Sequence, residues 1–273
     1  MSEDKPTPVG EKRELSGAAL AMPIAYIAVW AVILGLLFPF PITVAIGVGK
    51  PFPVTYVALA LGGILLGPIG GGLAVAAGWF VATLLAPASF FFGIFDMVVW
   101  LFMAVPMTLH MTKWPEKLDK IMWFIGFILP AVVLAGVWGY GVMFWTNAGY
   151  NFFAEPLWFA YTTTDGWPSV ILYMVTYKWH REWISNIELK GASIAKLTVA
   201  VASIIYCGVA AGNWTSALFG LPAFNLPPDL IISICLTAKW IERILMTVVG
   251  TAIGVPVLIA LKKAGIPKPQ GAI

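Results

Sequence analysis

An all-α, polytopic transmembrane bundle of six to eight spans is the fold class this sequence predicts, and three observations predict it. The chain of 273 residues is 60% hydrophobic and only 11% charged, where a soluble domain carries roughly a quarter charged residues. Mean hydropathy is +0.90, so too little polar surface remains to cover a water-soluble globule, and lipid must solvate much of the exterior. Apolar stretches recur along the whole chain, separated by short segments rich in Pro, Gly and charge, and several approach the ~20 residues of a bilayer crossing. The 13 tryptophans fit the same picture, because indoles favour membrane interfaces. A net charge of +3 is too small to argue for nucleic acid.

The elements follow in order. Residues 1–16 form a polar tail with Pro6 and Pro8, expected to be cytoplasmic. It does not read as a signal peptide, because the apolar stretch after it is too long and has no clear cleavage site. The first span is 18–38. A short span, 54–66, ends at Gly67-Pro68, and 69–85 follows at once and ends at Ala86-Pro87. Next come 90–111 and 121–145. A weaker span, 157–177, is interrupted by Asp165 and Pro168. The last are 194–211 and a run from about 230 to 261, too long for one crossing. If its crossing is 244–261, residues 230–238 become a short cap. Residues 17–263 therefore form one bundle, and 264–273 a cytoplasmic tail.

Basic residues orient the spans. Lys5, Lys12 and Arg13 lie in the tail; Lys113, Lys117 and Lys120 in the segment 112–120; Lys178, Arg181, Lys190 and Lys196 around 178–196; and Lys262, Lys263 and Lys268 at the C-terminus. If 157–177 crosses, these 13 of the 16 basic residues share one face. The positive-inside rule then places both termini in the cytoplasm. Without that crossing the parity fails, so the charge pattern supports a span that hydropathy leaves weak. The opposite face holds the segments 39–53, 146–156 and 212–229, expected as ordered loops rich in Asn, Trp, Phe and Pro. They read either as an interfacial aromatic belt or as the walls of an apolar ligand pocket with a few placed polar groups.

Catalytic motifs are missing. No GxxxxGK[ST], HExxH, CxxC or GxSxG occurs, so the chain does not hydrolyse ATP through a P-loop and shows no catalytic constellation. His110 and His180 stand alone near span ends and read as interfacial histidines. Cys207 and Cys235 read as small core residues. Neither a resident metal nor a cofactor is expected. Small residues recur at helical spacing: Ala21, Ala25 and Ala28; Gly63, Gly67 and Gly71; Gly250 and Gly254. Such faces let another backbone approach closely. They serve either packing within the bundle or, for the Ala21/Ala25/Ala28 face, a separate membrane protein.

Charges inside apolar stretches are costly and are functional candidates by default. Asp96 and Asp165 are two. Lys239, Glu242 and Arg243 share roughly one face of a helical turn at the outer end of the last span. They form either an internal ion pair that anchors the helix end or a site that reads a polar group on a ligand. A ligand-binding site between the outer segments is expected to use Asn147, Asn213 and Trp214 with Lys239, Glu242 and Arg243, beside Phe40, Trp145 and Phe224.

Three stretches carry a resemblance. Leu66-Gly67-Pro68-Ile69-Gly70-Gly71-Gly72, running into 76–85, resembles the helix 2–helix 3 junction of the substrate-binding S components of energy-coupling factor (ECF) transporters. Glu242-Arg243-Ile244-Leu245-Met246-Thr247 with Gly250–Pro256 is similar to their final helix, and Ala21-x-x-x-Ala25 to the AxxxA motif of their first. The resemblance implies a non-enzymatic, high-affinity binding subunit for a vitamin, vitamin precursor or metal ion. It would sit in a prokaryotic plasma membrane and partner a transmembrane T component and two cytoplasmic ATPases. A metal cargo fits poorly, because no His or Cys cluster offers ligands, while Trp- and Phe-rich outer segments suit a flat, conjugated ligand. No vitamin-specific motif carries over. An ion-coupled secondary carrier would instead need a broken helix near mid-membrane; a scaffold subunit would need no ligand at all.

Overall fold

The computed structural model describes residues 17–44, 51–90, 92–111, 114, 116–147, 167–185, 191–220 and 240–264. They form an all-α bundle with one small antiparallel ribbon. The helices are α1 (Gly17–Leu37), α2 (Thr55–Leu85), α3 (Phe95–Ala104), α4 (Glu116–Asn147), α5 (Trp167–Ser185), α6 (Gly191–Gly220) and α7 (Trp240–Lys263). Short 3-10 helices, Pro87–Ser89 and Pro106–Met111, precede and follow α3. The ribbon pairs β1 (Pro41–Val44) with β2 (Pro51–Pro53), so part of the expected 39–53 loop is strand. Among the described residues, α2, α4, α6 and α7 contain stretches long and apolar enough to cross a membrane.

One of those four is not a single rod. At Gly67 the backbone of α2 takes φ 73° and ψ 175°, a conformation that glycine reaches without a Cβ penalty, and Pro68 then starts a new helical segment with one N–H fewer to satisfy. Beyond this point the chain reverses. A Cβ built on Gly71 would lie 2.8 Å from the Gly63 Cα, although a continuous helix would separate those residues by about 12 Å at 1.5 Å per residue. Against α1, Gly62 packs on Trp30 and Gly70 on Ile27, while Gly78 and Val81 meet Leu34 and Gly35. Residues 55–66 thus run antiparallel to α1 and 68–85 parallel to it. The sequence break at Gly67-Pro68 is a helical hairpin, and its arms cross at Gly63 and Gly71. At ~18 Å the first arm is shorter than a ~30 Å hydrocarbon core.

The remaining directions follow from contacts. Gly63 packs against the Ala104 carbonyl, and Gly72 against Val105 and Leu101, so α3 descends beside the first arm. Helices α4 and α5 are antiparallel: Arg181 pairs with Asp119 at 3.1 Å, the rings of Trp123 and Tyr177 lie 5.1 Å apart, and the Tyr173 hydroxyl donates to the Pro106 carbonyl at 3.2 Å. The α6–α7 pair is antiparallel too, since Gly250 packs on Ile205 and Gly254 on Val201. Leu37, Thr55, Leu85, Phe95 and Glu242 therefore gather at one end of the bundle. Lys117, Lys120, Arg181, Lys262 and Lys263 gather at the other.

Several boundaries differ from the sequence reading. The expected 90–111 span is broken: the Asp96 carboxylate accepts the Phe92 N–H at 2.7 Å and tightens the turn before α3, and Pro106 ends the α-helix. Of the weak span 157–177, residues 157–166 lie outside the described residues, and the rest belongs to α5, which continues to Ser185. Helix α6 runs to Gly220, through part of the expected 212–229 loop.

The core is built from α2, α3, α6 and α7 around Leu59, Val99, Trp100, Ile204, Ile205 and Met246, all fully buried. Cys207 belongs to it as expected; its thiol faces the Ser169 carbonyl at 3.4 Å. His180, next to Arg181 at the basic end, is fully buried among protein side chains.

Candidate ligand-binding site

The Leu37 end concentrates the buried polar groups. Glu242 and Arg243 are 0% exposed and Asp96 is 4% exposed, in a bundle whose outer faces are apolar. Such charges are tolerated where fixed dipoles replace water. Asp96 occupies the first turn of α3, and Glu242 the first turn of α7. Helix N-termini favour negative charge, each by about 0.3–1 kcal/mol or more when partly buried. Asp96 also takes the Phe92 N–H. The Arg243 guanidinium lies over the Tyr206 ring, 5.2 Å from its centroid, a cation–π contact between α7 and α6.

Tyr56 joins these groups. It sits at the start of α2, beside the Trp100 indole and within electrostatic reach of both Asp96 and Glu242. Around Trp100 lies an aromatic cluster. Phe38 stacks on Phe90 at 4.4 Å with a 17° interplanar angle, and Phe38 and Phe90 approach Trp100 at 5.3 and 6.0 Å. The Thr55 hydroxyl donates to the Leu34 carbonyl at 2.9 Å and ties this end of α2 to α1.

The sequence-predicted residues fall as follows. Glu242 and Arg243 lie at the predicted end of the last helix, but fully buried, not at a hydrated helix end. Asn213 and Trp214 are each 2% exposed on α6, not in an outer loop. The α6–α7 register that pairs Ile205 with Gly250 and Val201 with Gly254, extended along both helices, sets Asn213 level with Glu242. Trp214 faces α4 and α5 and lines a tight apolar crevice with Met107, Phe127, Tyr173 and Cys207. Asn147 is the last residue of α4; its side chain lies outside the described residues, as do Lys239, Asp165, Phe224 and the side chain of Trp145. Phe40 is exposed at the Leu37 end. Ala25 and Ala28 are exposed on α1, and the Ala21 side chain lies outside the described residues. Gly250 and Gly254, in contrast, serve internal packing.

Tyr56, Trp100 and Tyr206 were missed as site residues. One signal for Trp100 was available: it follows Asp96 by one helical turn and so shares its face. Tyr56 and Tyr206 carry no sequence signal that separates them from other aromatic residues in apolar helices. No group of three or more His, Cys, Asp or Glu side chains suited to a metal ion occurs among the described residues.

Fold and site together define an α-helical membrane protein with a buried charged and aromatic cluster at one end of its bundle. No known family, curated protein or solved structure matches this chain.

Proposed function

We propose that this chain is the membrane-embedded, substrate-binding subunit of an ECF-type ATP-driven importer for a vitamin or a similar small micronutrient. The observation that carries this reading is the convergence of Asp96, Glu242 and Arg243 with Tyr56 and Trp100 at the Leu37 end. Aromatic walls with a few buried polar groups are what small-molecule recognition uses. The opposite end carries the basic residues, and the positive-inside rule makes it cytoplasmic. The ligand cluster then faces outward, in a prokaryotic plasma membrane, and both termini face the cytoplasm. Counting the two arms of α2 separately, the described residues supply eight helical segments that run between the two ends. A T component docks on the exposed Ala25 and Ala28 face of α1, and two cytoplasmic ATPases supply the energy this chain has no motif to generate.

A second reading, an ion-coupled carrier, is favoured by one specific observation: α2 is broken at Gly67-Pro68 within the bundle, and broken helices build ion sites in such carriers. Uptake separates the two. Import by the binding subunit with its partners survives an ionophore and stops on ATP depletion; a carrier behaves in the opposite way. Binding is tested first, by mass spectrometry of small molecules released from the purified protein. Asn213→Ala, level with Glu242, should lower the affinity for the released compound by about ten- to hundredfold, the loss of one buried polar partner. Absence of any bound small molecule would leave the scaffold reading.

A further inference from the structure

We infer that the crevice between α4, α5 and α6 is a second binding site, closed by Phe127, for an uncharged lipophilic molecule that presents a carbonyl. The site is separate from the charged cluster at the Leu37 end and does not depend on the reading given to that cluster. Three observations carry it. First, Trp214 is 2% exposed and lines the crevice, and its indole N–H makes no hydrogen bond among the described residues. The large majority of buried polar side-chain atoms have a partner. An indole nitrogen only donates, so the group that completes it is an acceptor.

Second, the crevice offers an incoming molecule this one donor in apolar surroundings. The Tyr173 hydroxyl and the Cys207 thiol, which also line it, donate to the Pro106 and Ser169 carbonyls at 3.2 and 3.4 Å. Every lining residue is uncharged, so an ionised ligand would lose its hydration there without meeting a counter-charge. Third, the rim faces the bilayer. Phe127 is only partly buried, whereas the other lining residues are buried. Its ring stacks on Trp123 at 6.3 Å, and Phe124 and Val132 on the same helix are exposed. About 200 Å³ is unfilled by atoms in the crevice, in gaps narrower than a water molecule. A molecule dissolved in the bilayer therefore enters only when the Phe127 ring swings outward.

Two sources share this chemistry, the ester carbonyl of a bilayer lipid and a free lipophilic solute. The test uses the full-length protein carrying Cys235→Ser, which leaves Cys207 as its one thiol, in nanodiscs of ester-linked or ether-linked phospholipid. Acetophenone and ethylbenzene are the probes, similar in size and shape, with and without a carbonyl. Both should slow the reaction of Cys207 with N-ethylmaleimide saturably, acetophenone with about tenfold higher affinity, the contribution of one hydrogen bond. Trp214→Phe keeps a ring and removes the donor, and should bring the two probes to equal affinity. Phe127→Ala should speed the Cys207 reaction when no probe is present. Acetophenone binding that is weaker in ester-linked than in ether-linked discs supports the site with the lipid ester as its occupant; equal binding in both supports it with a free solute. Equal affinity of the two probes for the protein with Trp214 intact, or no saturable protection in either lipid, overturns the inference, and neither result requires the Trp214 variant to fold.

Discussion

Gly63 and Gly71 hold the α2 hairpin closed by having no side chains. Their spacing in sequence suggests one smooth helical stripe, but the Gly67-Pro68 reversal brings them face to face. A methyl on Gly71 would sit 2.8 Å from the Gly63 Cα and 3.0 Å from its nitrogen, and backbone cannot yield as a flexible side chain can. Gly71→Ala should therefore destabilise the protein by about 1–3 kcal/mol, as overpacking does. Gly191→Ala is the control: it opens its helix and no described atom lies within 4 Å of its Cβ, so alanine there adds bulk without a clash. The unfolding temperature should fall for Gly71→Ala and stay near the parent value for Gly191→Ala. Equal stability of the two variants would mean that the arms do not touch.

Helix α1 presents one face to its surroundings and the other to α2. Ile24, Val29, Val32 and Leu36 are exposed beside Ala25 and Ala28, while Leu34 on the other side is fully buried against α2. The outward face is thus apolar all along, with the two alanines as a shallow, close-approach patch. Packing among the described residues leaves both alanines exposed. Replacing both Ala25 and Ala28 with Trp adds bulk only where there is room, so the unfolding temperature and ligand affinity should stay at the parent values. Assembly with a T component, read by co-purification, should be lost. Parent-level co-purification would remove α1 from the proposed interface.

At the scale of the whole molecule, the bundle has one basic end and one end of buried charges. Arg181 with Asp119 joins two of the basic segments in space, and Lys262 and Lys263 finish α7 on the same side. Single cysteines at Lys117 and Lys263 should react with a membrane-impermeant maleimide only after the cells are opened. One at the exposed Phe40 should react in intact cells. Labelling of Lys117→Cys from outside would invert the molecule and with it the direction of transport.

The all-α class was legible because it follows from composition and local pattern. The 60% hydrophobic content fixes lipid as the solvent, and the Gly67-Pro68 pair marks a helix break by its own backbone chemistry. The placement of Glu242 and Arg243 at the end of the last helix was also readable, because a helix places charges by counting residues. The geometry at the break was not. The same two residues permit a kink or a reversal, and only the contact of Gly63 with Gly71 decides between them. Asn213 and Trp214 looked like loop residues because Asn, Gly and Thr around them weaken local helix propensity; packing against α3 and the crevice beside α5 keeps them helical and buried. Asp96, Tyr56, Trp100 and Glu242 come from three helices far apart in the chain, and no local spacing relates them. Local sequence determined the class and the helix break at Gly67-Pro68, since these depend on solvation and backbone preference. The tertiary structure alone decided which of those charges and rings share one volume, because that depends on how helices distant in sequence pack.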